Sequence, residues 1–252
     1  FLYGFVATGH KNPGLNTSIY SPPAFDGEDV TDVEFGYKGS FLNNRLRFQA
    51  SYYHYEYKDY QFNQYDVTTR AAVILNVPGT SRSQGVEMQL DGYFGATAFN
   101  LAASYGSSKL ATYFAVDPRN PPPVGAPACL ASGPSSSTQC LDLSGRRLPF
   151  QPRLTFSAGL QHDFTVGTGM LTPRVDIAYT DRQYTTVYQV PVLDTLDDRT
   201  LVNVNLTYRN DLWSATLYST NLSDEHYVAA KLSGLRVAGP PRQFGLRVTR
   251  SF

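Results

Sequence analysis

Residues 45–62, RLRFQASYYHYEYKDYQF, open with strict alternation. Leu46, Phe48, Ala50 and Tyr52 fall on one parity, and Arg45, Arg47, Gln49 and Ser51 on the other. Strand side chains point alternately to opposite faces, so the segment predicts one face suited to an apolar medium and one suited to water. Helical periodicity fails, because the Leu46/Ala50 stripe would also carry Arg47 and Gln49. With no Gly or Pro inside it, the run predicts a single long strand, where ordinary strands have ~5–6 residues. At ~3.3 Å per residue it reaches ~60 Å, whereas a tilted strand crosses a bilayer in ~9–11 residues. Such a strand can span a membrane and still project beyond it, although this segment alone is also compatible with a long strand of a soluble sandwich.

The same alternation recurs about ten times. Phe1, Tyr3, Phe5 and Ala7 share a face, as do Val33, Phe35 and Tyr37 opposite Asp32, Glu34 and Lys38. Val86, Met88 and Leu90 oppose Glu87, Gln89 and Asp91. Phe99, Leu101, Ala103 and Tyr105 form the next apolar row, followed by Leu154, Phe156, Ala158 and Leu160, then Val175, Ile177 and Tyr179. Val202, Val204 and Leu206, then Trp213, Ala215 and Leu217, and finally Phe244, Leu246 and Val248 complete the series. Connections alternate in step with the strands. "SFLNN", "FGA", "TVGTG" and "RND" read as tight turns, while the segments near 10–28, 62–71, 108–150, 183–199 and 221–241 are longer. Short turns at one end of a sheet and long loops at the other are the layout of an outer-membrane barrel, and Greek-key sandwiches connect less regularly. The predicted fold is all-β, an antiparallel transmembrane β-barrel wall of about ten strands.

Composition agrees. Of 252 residues 17% are charged, and Lys+Arg 21 balances Asp+Glu 21, which offers no footprint for nucleic acid. Tyr 18 and Phe 15 favour strands. No run approaches eighteen apolar residues, so a helical span is not predicted. The chain opens on Phe1 without an initiator Met or a signal-peptide h-region, and reads as one domain or part of one, processed or a piece.

The longest loop is rich in Pro, Gly and Ser and holds Cys129 and Cys140. Their proximity in sequence predicts a local disulfide, a ring of this size contributing ~3 kcal/mol in an oxidising compartment. Two thiols with no His nearby fall short of a zinc site, so no metal or cofactor is predicted.

Four segments carry a family resemblance. "TDVEFGYKGSFLNNRLRFQASYYHYEYKDYQ" resembles the Glu-x-Gly-x-Lys strand, tight turn and tyrosine-rich strand of TonB-dependent outer-membrane receptors. "NVPGTSRSQGVEMQL" is similar to their Asn…Gly-Val-Glu segment, "NLSDEHYV" to their Asn-Leu-x-Asp-x-x-Tyr, and "GPPRQFGLRVTRSF" to their closing strand. The resemblance implies the C-terminal portion, over 1–252, of a plugged barrel of about 22 strands. It also implies several partners: a plug and N-terminal strands of the same polypeptide, the TonB energy-coupling complex, outer-membrane lipid, and the barrel-assembly machinery that reads Phe252. Long loops would then be extracellular, with turns and C-terminus periplasmic. Tyr53, Tyr55 and Tyr57 would belong to the aromatic girdle and the sheet above it. Arg250 departs from the apolar choice on its face and would snorkel near the interface.

The implied function is active import of a scarce solute, such as a ferric siderophore, corrinoid or carbohydrate, without chemistry on it. Candidate ligand contacts are the loop residues Tyr113, Phe114, Arg119, Tyr184 and Tyr188, since concave sites combine aromatic walls with a few polar groups. For each of them the plainer role is to stabilise its loop. The alternative is a complete ten-stranded barrel acting as a protease of omptin type, a passive porin or an adhesin. A protease would need paired acids and a carboxylate-positioned His. His162 and His226 have acidic neighbours only in sequence, where adjacent strand residues face opposite sides, and His10 and His54 show no acidic constellation.

Overall fold

The computed structural model describes residues 1–16, 23–66, 71–120, 125, 129, 140–232 and 234–251. Phe252 lies outside the described residues. Ten strands form an antiparallel meander in which each pairs with the next: β1 (Leu2–Lys11), β2 (Glu28–Phe41), β3 (Leu46–Asp66), β4 (Ala71–Phe94), β5 (Thr97–Lys109), β6 (Leu154–His162), β7 (Gly169–Thr180), β8 (Arg199–Arg209), β9 (Trp213–Thr220) and β10 (Gln243–Arg250). An eleventh short strand, Phe164–Val166, pairs with β7 beside its turn. Among the described residues β1 and β10 do not pair with each other, so the sheet does not close on itself.

The four expected tight turns are present and lie at one end. Leu42, Asn43 and Asn44 all take positive φ between β2 and β3, a conformation that asparagine tolerates better than most residues. Asn210 Oδ1 accepts from the backbone N–H groups of Leu212 and Trp213 at 3.0 and 2.8 Å, an Asx turn joining β8 to β9.

Register fixes the two faces. Phe35, Tyr52, Val86, Tyr105 and Leu154 lie side by side across five strands, and Leu206, Leu217 and Leu246 across three. All eight are exposed, a hydrocarbon-compatible surface. On the other face Ser51, Glu87, Ser104, Thr155 and Thr180 form a polar row. Arg174 lies on that same side, bonded to Asp176, Gln161 and Asn100, so its charge and donors are satisfied within the sheet.

Three readings of the chain change. Pairing of Gly4 with Phe35 and Val6 with Val33 puts Leu2, Gly4 and Val6 on the apolar face. Tyr3 and Phe5 therefore face the polar side, where Tyr3 donates to Glu34 at 2.6 Å and lies under the Lys38 ammonium. An aromatic with a polar partner is as much at home there as in lipid. Second, 62–71 is mostly strand: β3 continues to Asp66 and β4 begins at Ala71. The continuation passes through a bulge, where Asp59 opposes Pro78 and Gly79 and the register slips between Lys58 and Tyr60. Pro78 reads as a strand breaker, but a bulge is one of the few places a strand accepts it. Third, Tyr53, Tyr55 and Tyr57 share the parity of Gln49 and Ser51 and so belong to the polar face, not to a lipid girdle.

At the other end, four of the five remaining connections carry two-stranded ribbons: Gly14–Leu15 with Ala24–Phe25, Phe114–Val116 with Cys140–Asp142, Gln183–Tyr184 with Thr195–Leu196, and Val228–Leu232 with Leu235–Ala238. A single helical turn spans Pro191–Asp194. No helix among the described residues is long and apolar enough to cross a membrane.

Candidate functional site

The tyrosine ladder of β3 leads from the polar face into the long-loop end. Ring centres of Tyr53 and Tyr55 are 5.3 Å apart, and those of Tyr55 and Tyr57 are 6.0 Å apart. Tyr60, past the bulge, meets Tyr57 edge-on at 5.8 Å. Room for the lowest ring comes from two glycines: a Cβ at Gly85 or Gly106 would lie 2.6 or 2.7 Å from the Tyr53 hydroxyl oxygen. Alternation alone therefore assigns these tyrosines to their face, and the glycines opposite are the matching signal.

Above the ladder, the extended β3–β4 hairpin and two loops share one hydrophobic core. Phe62 and Val77 of the hairpin pack with Leu110, Tyr113, Leu143 and Leu148 of the 110–153 loop and Val187 and Tyr188 of the 181–198 loop. Tyr113 meets Phe62 edge-on at 5.9 Å. Burial raises the hydroxyl pKa of both Tyr113 and Tyr188. Tyr188 thus stays a donor, and its hydroxyl bonds to Gln64 Oε1 across 124 residues of sequence.

A buried ionic clasp joins the same two loops. Arg119 donates to both oxygens of Asp194, at 2.7 and 2.9 Å, and to both oxygens of Asp117, at 2.8 and 2.7 Å. Asp194 Oδ2 also accepts from the Val190 N–H at 2.8 Å. Burial alone would raise the Asp194 pKa, but the Arg119 hydrogen bonds and the Val190 amide outweigh it and hold the carboxyl below its ordinary range. Asp194, then Asp117, pushes the Arg119 guanidinium further up. The guanidinium also lies 5.8 Å from the Tyr188 ring centre, and Arg146 donates to the Tyr188 carbonyl.

The five candidate contacts are thus not one cluster. Arg119 and Tyr188 adjoin, Tyr113 belongs to the core, and Tyr184 stacks with the Arg147 guanidinium at 4.8 Å. Phe114 sits in the ribbon opposite Asp142. Cys140, in that ribbon, is joined to Cys129 with Cα atoms 5.4 Å apart. Sequence reasoning did not single out Phe150, which has φ 57°, donates its N–H to the Tyr184 carbonyl at 2.8 Å, and leaves its ring 59% exposed.

Phe150 borders two cavities. The upper one, ≈ 390 Å³, is lined by Gln64, Arg119, Thr185, Tyr188 and Lys231 among others. The lower one, also ≈ 390 Å³, lies against the tyrosine ladder on the polar face. Among the described residues no group of three or more His, Cys, Asp or Glu is placed to hold a metal ion. Two histidines have an acidic neighbour on their own face: across strands, His10 Nδ1 is 2.7 Å from Asp29, and along β3, His54 Nε2 is 3.7 Å from Glu56, two residues on. Both histidines have the parity of the apolar face, away from the cavities.

An antiparallel meander with an apolar outer row, a polar opposite row, turns at one end and elaborated loops at the other defines the wall of a membrane β-barrel. Residues 1–222 match the family model for the TonB-dependent receptor-like β-barrel, and the chain belongs to that family. Its members are outer-membrane β-barrels. The fold is similar to that of the ferric yersiniabactin uptake receptor FyuA from Yersinia pestis, with a TM-score of 0.73 and 17% identity, over 100% of this chain and 35% of that one. It is likewise similar to the siderophore receptor PiuA from Acinetobacter baumannii, with a TM-score of 0.70 and 19% identity, over 98% and 33%. The ferric preacinetobactin receptor BauA from the same species gives 0.68 and 17%, over 100% and 34%. The chain spans about a third of the length of these structures.

Proposed function

We propose that this chain forms part of the wall and mouth of an outer-membrane active transporter, whose long loops face the exterior and whose turns face the periplasm. A solute binds at the loop end and is imported when the energised TonB complex remodels a plug supplied by the same native polypeptide. The observation that carries this reading is the joining of two loops and the β3–β4 hairpin into one core above a polar face, with the Arg119 clasp beside it against Tyr188. Binding loops held in one arrangement lose less entropy when a ligand arrives. Arg119 and Tyr188 contact the solute from the upper cavity, Phe114 and Tyr184 flank it, and Tyr113 supports them. No residue is assigned a catalytic role, and Phe252 is assigned to recognition by the barrel-assembly machinery.

Among solutes, a ferric siderophore comes first, because the similar structures include receptors for such chelates; a corrinoid or carbohydrate fits the same class. The test is uptake by a deletion strain, with and without the gene, on panels of ferric chelates, corrinoids and glycans. Selective rescue on one panel member, abolished by de-energising TonB, is the expected outcome. Equal growth with and without the gene on every solute would remove the proposal.

A further inference from the structure

We propose that the lower cavity selects a positively charged group on the transported solute; the inference rests on the transport reading above. One wall is the stack of Tyr53, Tyr55 and Tyr57, three rings along a single strand. Beside the rings on the same polar face, the next two strands contribute the small hydroxyl side chains Ser83, Ser108 and Ser104, which leave the aromatic side open. Glu34 and Glu87 supply the charge. Glu34 keeps one oxygen for the Tyr3 hydroxyl, and among the described residues neither carboxylate has an ion-pair partner.

No lysine, arginine or histidine lines this cavity. Aromatic walls beside two unpaired carboxylates attract a cation twice, through ring quadrupoles and through direct charge, and they repel an anion. The upper cavity does not offset that preference, since Arg119 between two aspartates leaves one negative charge over, which balances the Lys231 ammonium. Phe150 borders both cavities, so a solute descending from the mouth passes its exposed ring before it reaches the carboxylates.

The test uses the complete native polypeptide in detergent and two monovalent phenyl probes of opposite charge, benzyltrimethylammonium and benzoate, followed by calorimetry. The cation is expected to bind at least about ten-fold more tightly than benzoate, and Glu34→Gln with Glu87→Gln to remove that margin. Tyr55→Leu should weaken cation binding while the barrel keeps its heat-modifiable migration. Benzoate binding as tightly, cation binding unchanged in the double variant, or no binding of either probe would each overturn the proposal. The last of these is the result if a basic side chain of the plug already fills the space. Cellular uptake is scored separately, so selective import without probe binding sinks this inference alone.

Discussion

Arg119 and Asp194 lie 75 residues apart in sequence, yet they meet through two parallel hydrogen bonds of 2.7 and 2.9 Å, with the carboxylate only 1% exposed. Removing the guanidinium leaves two buried carboxylates without a counter-charge. Breaking one side of such a pair costs about 3–5 kcal/mol. Arg119→Ala should therefore release both loops while the wall stays folded, seen as lost hydrogen-exchange protection near 113–119 and 185–196 with β7–β9 unchanged. Arg119→Lys should restore little of it, because an ammonium cannot serve two carboxylates with a planar fork.

The same pair gives the loops a pH limit. The Asp194 carboxyl is held below its ordinary value of 3.8, so its contribution is fully present above that value and is lost as pH falls through the lower folded-state value. Loop protection should be flat from about pH 7 to about pH 5 and should fall only below about pH 4. A decline that begins near pH 6 would implicate a histidine instead.

Gly79 takes φ +87° at the bulge opposite Asp59, whose side chain accepts its N–H at 3.3 Å. A Cβ there has space, with its nearest neighbour at 3.7 Å, so Gly79→Ala isolates the backbone term. The expected cost is about 1–2 kcal/mol. It should appear as faster exchange above the bulge and little change at Tyr53.

The two faces of β9 predict opposite tolerances. Leu217→Arg puts a charge on the apolar face and should destabilise the reconstituted barrel by about 2–4 kcal/mol if its depth is near the midplane. Thr216 lies on the polar face and shares a hydrogen bond of 2.9 Å with Thr207, so Thr216→Arg should cost about 1 kcal/mol. Urea unfolding in lipid vesicles compares them, and equal costs would contradict the assignment of faces.

Reduction of Cys129–Cys140, or Cys129→Ser, should free the end of the Phe114–Val116 ribbon. The chain-entropy model gives about 3 kcal/mol for a ring of this order. Proteolysis between 120 and 140 should quicken, while exchange in β5 and β6 stays constant.

The wall was legible because period-two alternation is a local property, and the turns were legible because Asn43, Asn44, Gly95 and Gly167 supply the φ > 0 they need. Tyr53, Tyr55 and Tyr57 follow the same parity rule, which puts them with Gln49 and Ser51, whereas the family resemblance pointed to a girdle. The upper half of β4 was hidden by Pro78 and Gly79, whose meaning depends on a partner strand. At the site, Arg119 could be named as a loop cation, but Asp194 and Tyr188 become its neighbours only through tertiary packing. His10 with Asp29 shows the same limit, since cross-strand neighbours carry no mark in the linear chain.

Because Gln64 of β3 bonds to Tyr188, and Arg119 of the 110–153 loop to Asp194, both partners lying in the 181–198 loop, neither pair can lose one member without leaving a polar group unmatched. Evolution of a new ligand preference in this lineage should then proceed by paired replacement. Its record would be correlated columns joining β3 to the 181–198 loop, beside freely drifting positions elsewhere on the rim.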